Sequence, residues 1–567
     1  MAVRNDAPRP HGGRIPVKIT KITPFLFGFA IFASAGLFGA VSGHADEPGA
    51  QEAVEVLLAE TPGDVSKSAS EDGADAQDGK KSSKASRKNA PKGSGSFADS
   101  VTRHAMALGD KPVAYIATAG TLTVPAERDK SEEKARMFYI AYRLDRPAGA
   151  RRPLTFVFNG GPGAAAAYLH LGAMGPKRLD FAADGRVPTP PVRLVDNPQT
   201  WLAFTDLVFV DPVGTGYSRT VSGKDEKQVE SDDDSPFWAT GRDLDALGAF
   251  IRLYLTRNER WLSPTVLAGE SYGGFRVAAL ADRLQSKFGI SVRGLVMISP
   301  ALEFDLLSES RFRLLPWVVR VPSYAAAAMH HGRSDAGTGA AALQTAERFV
   351  TDELLAGLTR GGALAGKPRA DLLSRLARLT GLPEDLVKRY GGKLPGDVFA
   401  SRLLEKDGRI VSIYDASIGY PAPHPAEGRY RDPRLARISA AVTAAFNDDV
   451  RTRLKVETDL PYEVLNRRTN ANWSWGRRSG RSGPPGSADN LEDAFKRIEG
   501  LRGLLVHGLY DLVTPYFGSA FLVNQLDLEP ALRERLTVRT YKGGHMFYSH
   551  AESRKAFYED ARRLYEK

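Results

Sequence analysis

The sequence predicts an α/β domain: a central, mostly parallel sheet covered by helices, with a mainly helical insertion in its second half. Three observations carry this reading. Short runs that are almost wholly apolar (Leu154–Phe158, Leu207–Val210, Thr265–Ala268 and Gly294–Ile298) suit strands buried on both faces. Helical patterns lie between the last three of them. In Asp243–Leu255, for example, Leu244, Leu247, Ile251 and Tyr254 recur at helical spacing, with Phe250 beside them. From about Glu303 to Asp489 helical patterns dominate, and sheet-like runs return at Gly503–Val506 and Leu536–Thr540.

The elements follow in order. Arg4, Arg9, Arg14, Lys18 and Lys21 precede an apolar run, Pro24 to Val41, and Gly43 and Ala45 offer small residues at the cleavage positions. Residues 1–45 therefore read as an export signal cleaved after Ala45. The run is long for a signal peptide, so an uncleaved anchor stays open as a second reading. Either way the main domain is expected outside the cytoplasmic membrane, periplasmic or extracellular, with no stable membrane insertion once the signal is removed. Residues 46–98 are poor in large apolar side chains and pass from acidic (Glu55 to Asp78) to basic (Lys80 to Lys88). Such a stretch cannot bury enough apolar surface to order itself and reads as a linker. Its basic end could also touch an envelope polyanion.

Order is expected from Ser100. Val113–Ala117, Thr121–Val124 and Met137–Tyr142 read as an antiparallel entry to the sheet. The core is assigned to residues 99–302 and 490–567, and the helical insertion to 303–489. Within the insertion Ala342–Leu358 and Leu372–Leu379 are helix-like, Pro383-Glu384-Asp385 opens another helix, and a Gly/Arg/Pro-rich stretch from Gly476 to Gly486 closes the region.

Composition excludes several classes. The 567 residues contain no cysteine, which rules out disulfides, thiolate metal sites and cysteine nucleophiles. A net charge of +10 without a basic-aromatic pattern gives no nucleic-acid partner. No metal-ligand cluster and no cofactor fingerprint stand out, and nothing specifies an oligomer.

The chemistry centres on Gly269-Glu270-Ser271-Tyr272-Gly273, between the strand-like Thr265–Ala268 and a helix-like run from Phe275. A G-x-S-x-G between strand and helix is the setting of a nucleophile elbow, whose tight turn lifts the serine oxygen above the sheet. A serine hydroxyl needs a base, and the base an orienting carboxylate, in the chain order Ser, Asp, His on such sheets. Asp511, just past the strand Gly503–Val506, and His545, in the glycine-flanked loop after the last strand, meet that order. His507 lies at the strand end and is expected to pack or bond locally, and His550 lies nearer the helix-like tail. An acyl oxygen needs backbone N–H donors. Tyr272, which follows the nucleophile, supplies one, and the glycine-rich Phe158-Asn159-Gly160-Gly161-Pro162-Gly163 supplies a second.

Asn159-Gly160-Gly161-Pro162-Gly163, Gly269-Glu270-Ser271-Tyr272-Gly273-Gly274 and Gly544-His545-Met546 resemble the signature segments of the serine carboxypeptidases, enzymes of the α/β-hydrolase fold with a helical cap insertion. Asp196-Asn197-Pro198 with Trp201, and Phe209-Val210-Asp211-Pro212-Val213-Gly214-Thr215-Gly216-Tyr217-Ser218, also resemble their pattern. The resemblance implies Ser271 as nucleophile, His545 as base, Asp511 as its partner, and the amides of Gly161 and Tyr272 as the oxyanion hole. It also implies that Asn159 and Glu270 bind the substrate's terminal carboxylate, for which a proton must sit between the two carboxyl groups. The implied substrate is a peptide or small acyl compound.

Three departures stand out. Ala164-Ala165-Ala166 replace a common Cys-Ser-Ser, Ala173 stands where the family places a second glutamate, and Val157 stands where it places a tryptophan. With Ala173, half of the carboxylate-binding network is expected to be missing and the pH optimum to be less acidic than the family's. An esterase or acyltransferase on the same machinery is the first alternative. A non-catalytic envelope-binding protein is the other. Trp473-Ser474-Trp475 and Arg477–Arg481 could touch substrate from an insertion loop, or be packing aromatics and a solvated loop.

Overall fold

In the computed structural model one sheet runs through the molecule, and its strand ends carry the candidate site. The structure describes residues 98–125, 134–146, 152–221, 235–424, 430–476 and 485–566. The expected signal, nearly all of the linker and Arg477–Arg481 lie outside them. Among the described residues the sheet has ten strands: β1 (Ser100–Leu108), β2 (Lys111–Pro125), β3 (Lys134–Leu144), β4 (Leu154–Phe158), β5 (Asp206–Val210), β6 (Arg219–Val221), β7 (Thr265–Glu270), β8 (Gly294–Ile298), β9 (Arg502–Gly508) and β10 (Leu536–Tyr541).

The spatial order is β1-β2-β3-β5-β4-β7-β8-β9-β10, with β6 beside β3. The first three strands and β6 pair antiparallel, and β5, β4, β7, β8, β9 and β10 are parallel to one another. This is the mostly parallel, helix-covered sheet that the alternating strand and helix signals predict. Register places the C-terminal ends of the central strands side by side: Phe158 pairs with Gly269, Glu270 with Ile298, and Ile298 with Val506. The loops after β4, β7, β9 and β10 therefore emerge at one edge, where ligands bind in open parallel sheets.

The central strands are mostly apolar because both faces are covered. Val157, Val266, Ala268, Val296, Ile298, Leu504 and Val506 face one core. Their neighbours Phe156, Phe158, Leu267, Leu295, Met297 and Leu505 face the other. Helices α1 (Thr240–Arg257) and α2 (Tyr272–Phe288) fill the second core with Leu247, Phe250, Ile251, Val277 and Leu280.

Between β8 and β9 the chain forms helices, including α3 (Val321–His330), α4 (Ala340–Phe349), α5 (Gly366–Thr380) and α6 (Pro433–Thr452), then α7 (Ala488–Arg497). Asp432 caps α6, its carboxylate accepting from the N–H groups of Arg434 and Leu435. Helix α8 (Ala551–Glu566) closes the chain against the first core through Phe557 and Ala561. Among the described residues no helix is long and apolar enough to cross a membrane.

Candidate active site

The turn from β7 into α2 holds Ser271 at φ 60°, ψ −124°, a backbone state that side chains rarely adopt. Its glycines are steric requirements, since a Cβ on Gly269 would lie 2.1 Å from the Gly273 carbonyl oxygen. Tyr272 opens α2, so helix geometry gives its N–H no intrahelical acceptor. The loop after β4 rests on this turn. A Cβ on Gly160 would lie 2.5 Å from the Tyr272 nitrogen, and Gly161 stands at φ +93°. The Gly161 and Tyr272 amides thus belong to adjoining segments.

Ser271, His545, Glu270, Asn159, Gly161 and Tyr272 all line one cavity. Asp511 lies behind His545, fully buried, with Oδ2 2.8 Å from His545 Nδ1. Its Oδ1 accepts from the N–H groups of Val513 and Thr514 at 2.8 and 3.0 Å. Burial pulls the His545 imidazole down, but the charge and hydrogen bond of Asp511 outweigh it and leave its pKa raised. His507 is buried within β9, and burial pushes it down to about 4, so it is neutral. His550 bonds Asp415 through Nε2 at 2.8 Å. Neither histidine competes with His545.

Glu270 is buried beside Ser271, and its carboxyl is engaged at both oxygens. The Asn159 amide donates to Oε2, and Tyr548 donates its hydroxyl to Oε1 at 2.8 Å. Burial pushes this carboxyl up to about 7 against the opposing pull of His545, Tyr548 and Asn159. Asn159 is itself fixed, accepting from the Leu169 N–H at 3.0 Å through Oδ1. With Ala173 in place of a second acid, it is Tyr548 that meets the second oxygen of Glu270. Gly172, next to Ala173, makes room for it: a Cβ there would lie 2.5 Å from the Tyr548 ring. Asn197 donates to the carbonyls of Ala173 and Gly175 at 2.8 Å each and fixes that turn.

Three further residues escape sequence reasoning. Thr514 lies 3.1 Å from His545 Nδ1 and donates to Asp511 Oδ2 at 2.7 Å. Arg276 on α2 reaches the carbonyls of the Asn159–Gly160 loop. Tyr414 accepts the His545 N–H at its carbonyl (2.6 Å) and sets its ring edge-on to the imidazole, with centroids 5.6 Å apart. That last contact belongs to a segment from the region between β8 and β9. Leu512 N–H donates to Ile413 O at 3.0 Å, and Ala416 N–H donates to Tyr510 O at 3.0 Å. Asp415 pairs with His550, and a Cβ on Gly544 would lie 2.4 Å from the Asp415 Cα. Trp473 and Trp475 pack edge-on against the Tyr272 ring at 5.6 Å each, on the packing side of the alternatives the sequence leaves open. Among the described residues no group of three acidic or histidine side chains is placed to hold a metal ion.

Residues 114–304 match the serine carboxypeptidase family model. Over this segment, about a third of its length, the chain is similar to the serine carboxypeptidases. Among curated serine carboxypeptidases it is similar to the pheromone-processing carboxypeptidase KEX1 of Zygosaccharomyces rouxii, 28% identical over 165 residues, which is 29% of this chain and 22% of that protein. It is also similar to the carboxypeptidase Y homolog of Arthroderma benhamiae (30% identical, 29% of this chain and 30% of that one). A third is the serine carboxypeptidase-like 44 of Arabidopsis thaliana (27% identical, 35% and 38%). Among solved structures, the prohormone-processing carboxypeptidase Kex1 from Saccharomyces cerevisiae aligns with 78% of this chain and 91% of its own, at 17% identity and a TM-score of 0.45. The matched stretch spans between 21% and 41% of the length of the curated relatives.

Proposed function

We propose that this protein is an exported serine carboxypeptidase that releases C-terminal residues from peptides through a Ser271 acyl-enzyme. The observation that supports it most is one cavity gathering Ser271, His545, Glu270 and Asn159, with Asp511 2.8 Å behind the imidazole. His545 takes the Ser271 proton as the oxygen attacks the carbonyl before the last residue. Asp511 holds the imidazole in the required tautomer and stabilises its charged form. The Gly161 and Tyr272 N–H groups receive the developing oxyanion. His545 then protonates the leaving amine. Water, deprotonated by the same imidazole, cleaves the acyl ester and restores Ser271. Asn159 and protonated Glu270 hold the terminal carboxylate, which selects the end of the chain over internal bonds.

In this reading residues 1–45 direct export, 46–98 form a linker, and 303–489 cap a hydrolase core formed by 99–302 and 490–567. The test is mass analysis of a peptide mixture before and after exposure to the protein, with Ser271→Ala as control. Ser271-dependent loss of single C-terminal residues is the expected outcome. Turnover of a simple aryl ester with no such loss would assign the site to an esterase or acyltransferase instead.

A further inference from the structure

Arg276 lies one helical turn beyond Tyr272 on α2 and is fully buried. A buried guanidinium is tolerated only when its charge and its donors are matched. Here the matching runs in two directions. Nε and Nη2 grip the Asp243 carboxylate of α1 at 2.8 and 3.2 Å, a bidentate pair that fixes the plane of the guanidinium. Nη1 points the other way, donating to the Asn159 carbonyl oxygen at 2.5 Å and reaching that of Gly160 at 3.5 Å. The guanidinium carbon also sits 4.7 Å from the centre of the Tyr272 ring, stacking on the residue that follows the nucleophile.

A trans peptide sets its C=O and N–H antiparallel. Drawing the Gly160 carbonyl toward Arg276 therefore turns the N–H of Gly161, in the same peptide, the opposite way. Gly160 and Gly161 line the cavity with Ser271, whereas Arg276 does not. The Gly160 carbonyl is held from a second side as well, by the Ala164 N–H at 3.1 Å. Glycine has no side chain to resist rotation of these peptides, so external anchors must set their orientation.

We propose that Arg276, held in place by Asp243, is a positioning residue for the oxyanion site: it clamps the carbonyls of Asn159 and Gly160 so that the Gly161 N–H faces the acyl oxygen. This rests on the hydrolase reading above. The interaction matters only once the oxygen carries charge, so its loss lowers kcat and leaves substrate binding nearly untouched.

The test compares Arg276→Met, Arg276→Lys and Asp243→Asn with the parent protein on one peptide substrate. Two inhibitors accompany it: a peptide aldehyde, which adds Ser271 across its carbonyl to form a charged tetrahedral adduct, and the matching cleaved peptide. The expected result is a kcat lowered roughly 10- to 100-fold, with the aldehyde weakened in step. KM and affinity for the cleaved peptide should stay within about 3-fold of the parent. The double variant Arg276→Met/Asp243→Asn removes the clamp without leaving either buried charge unpaired, so it supplies a folded variant even where a single substitution does not fold. Unchanged kcat in the variants, or equal loss of affinity for aldehyde and cleaved peptide, overturns the proposal alone. No Ser271-dependent turnover in the parent overturns the hydrolase reading and this proposal with it.

Discussion

Tyr548 donates its hydroxyl to Glu270 at 2.8 Å, and this contact joins the loop of His545 to the residue that precedes Ser271. With Asn159 on the other oxygen, the Glu270 carboxyl is oriented by two neutral donors in a pocket where burial pushes its pKa up to about 7. Such a group lends a proton to an incoming carboxylate near neutrality and loses that ability above it.

The pH dependence should therefore be two-sided. Glu270 is protonated below about 7 and ionised above, so release of C-terminal residues falls as pH rises through that value. His545 must be neutral to act as base, and its pKa lies above the ordinary 6.5, so activity falls again as pH drops. The two groups feel each other, and the apparent values belong to the pair. A narrow bell near neutral pH is expected in kcat/KM for a free peptide. The C-terminal amide of the same peptide should lack the alkaline limb. A peak below about pH 5 would contradict this assignment.

Tyr548→Phe removes a hydrogen bond that favours the ionised Glu270. KM for free peptides should rise roughly 3- to 10-fold. The alkaline limb should move to higher pH, because the carboxyl then holds its proton longer. Peptides blocked at the C-terminus report whether the change is confined to carboxylate recognition, and an equal loss on both kinds of substrate would refute it.

Glu270→Gln should stabilise the fold at alkaline pH. The folded carboxyl keeps its proton to about 7, whereas an ordinary one ionises near 4.5. Stability from this group is thus full below 4.5 and is lost as pH rises through about 7. Glutamine suffers no such loss, and the Tyr548 hydroxyl can turn to accept from its amide. The gain should be on the order of 2–3 kcal/mol at pH 8 and vanish near pH 4. Denaturant titrations of both proteins at the two pH values measure it, and equal gains at both would rule it out.

Phe304, Leu307, Leu435, Leu465, Val513 and Met546 form much of the cavity wall. Peptides with Leu or Phe beside the scissile bond should be cleaved about 10- to 100-fold more efficiently, in kcat/KM, than those with Asp or Lys. A matched peptide series decides the point, and a flat profile would count against the cavity as the side-chain site.

What could be read from the sequence here was local. Gly269–Gly273 announces its own turn, because strand, tight turn and helix follow one another within a few residues. Asp511 and His545 were found through their places after strands, which the parallel sheet brings to one edge. The supports of the site were hidden because they join distant segments through common residue types. Nothing near Tyr548 marks it as a partner of Glu270, and the bareness of Gly172 has meaning only once that ring lies over it. Arg276 looks like any polar residue on a helix until Asp243 and the Asn159 carbonyl close around it.

The short segment Ile413–Ala416 holds both the Asp511 loop and the His545 loop by their backbones. The region between β8 and β9 is consequently tied, at this segment, into the loops that carry Asp511 and His545. Moving these four residues away would free the backbones of the Asp511 and His545 loops. A trimmed protein reduced to the sheet and its flanking helices would keep the Ser271 turn and leave His545 adrift. Any graft of this region between relatives has to carry these four residues with it.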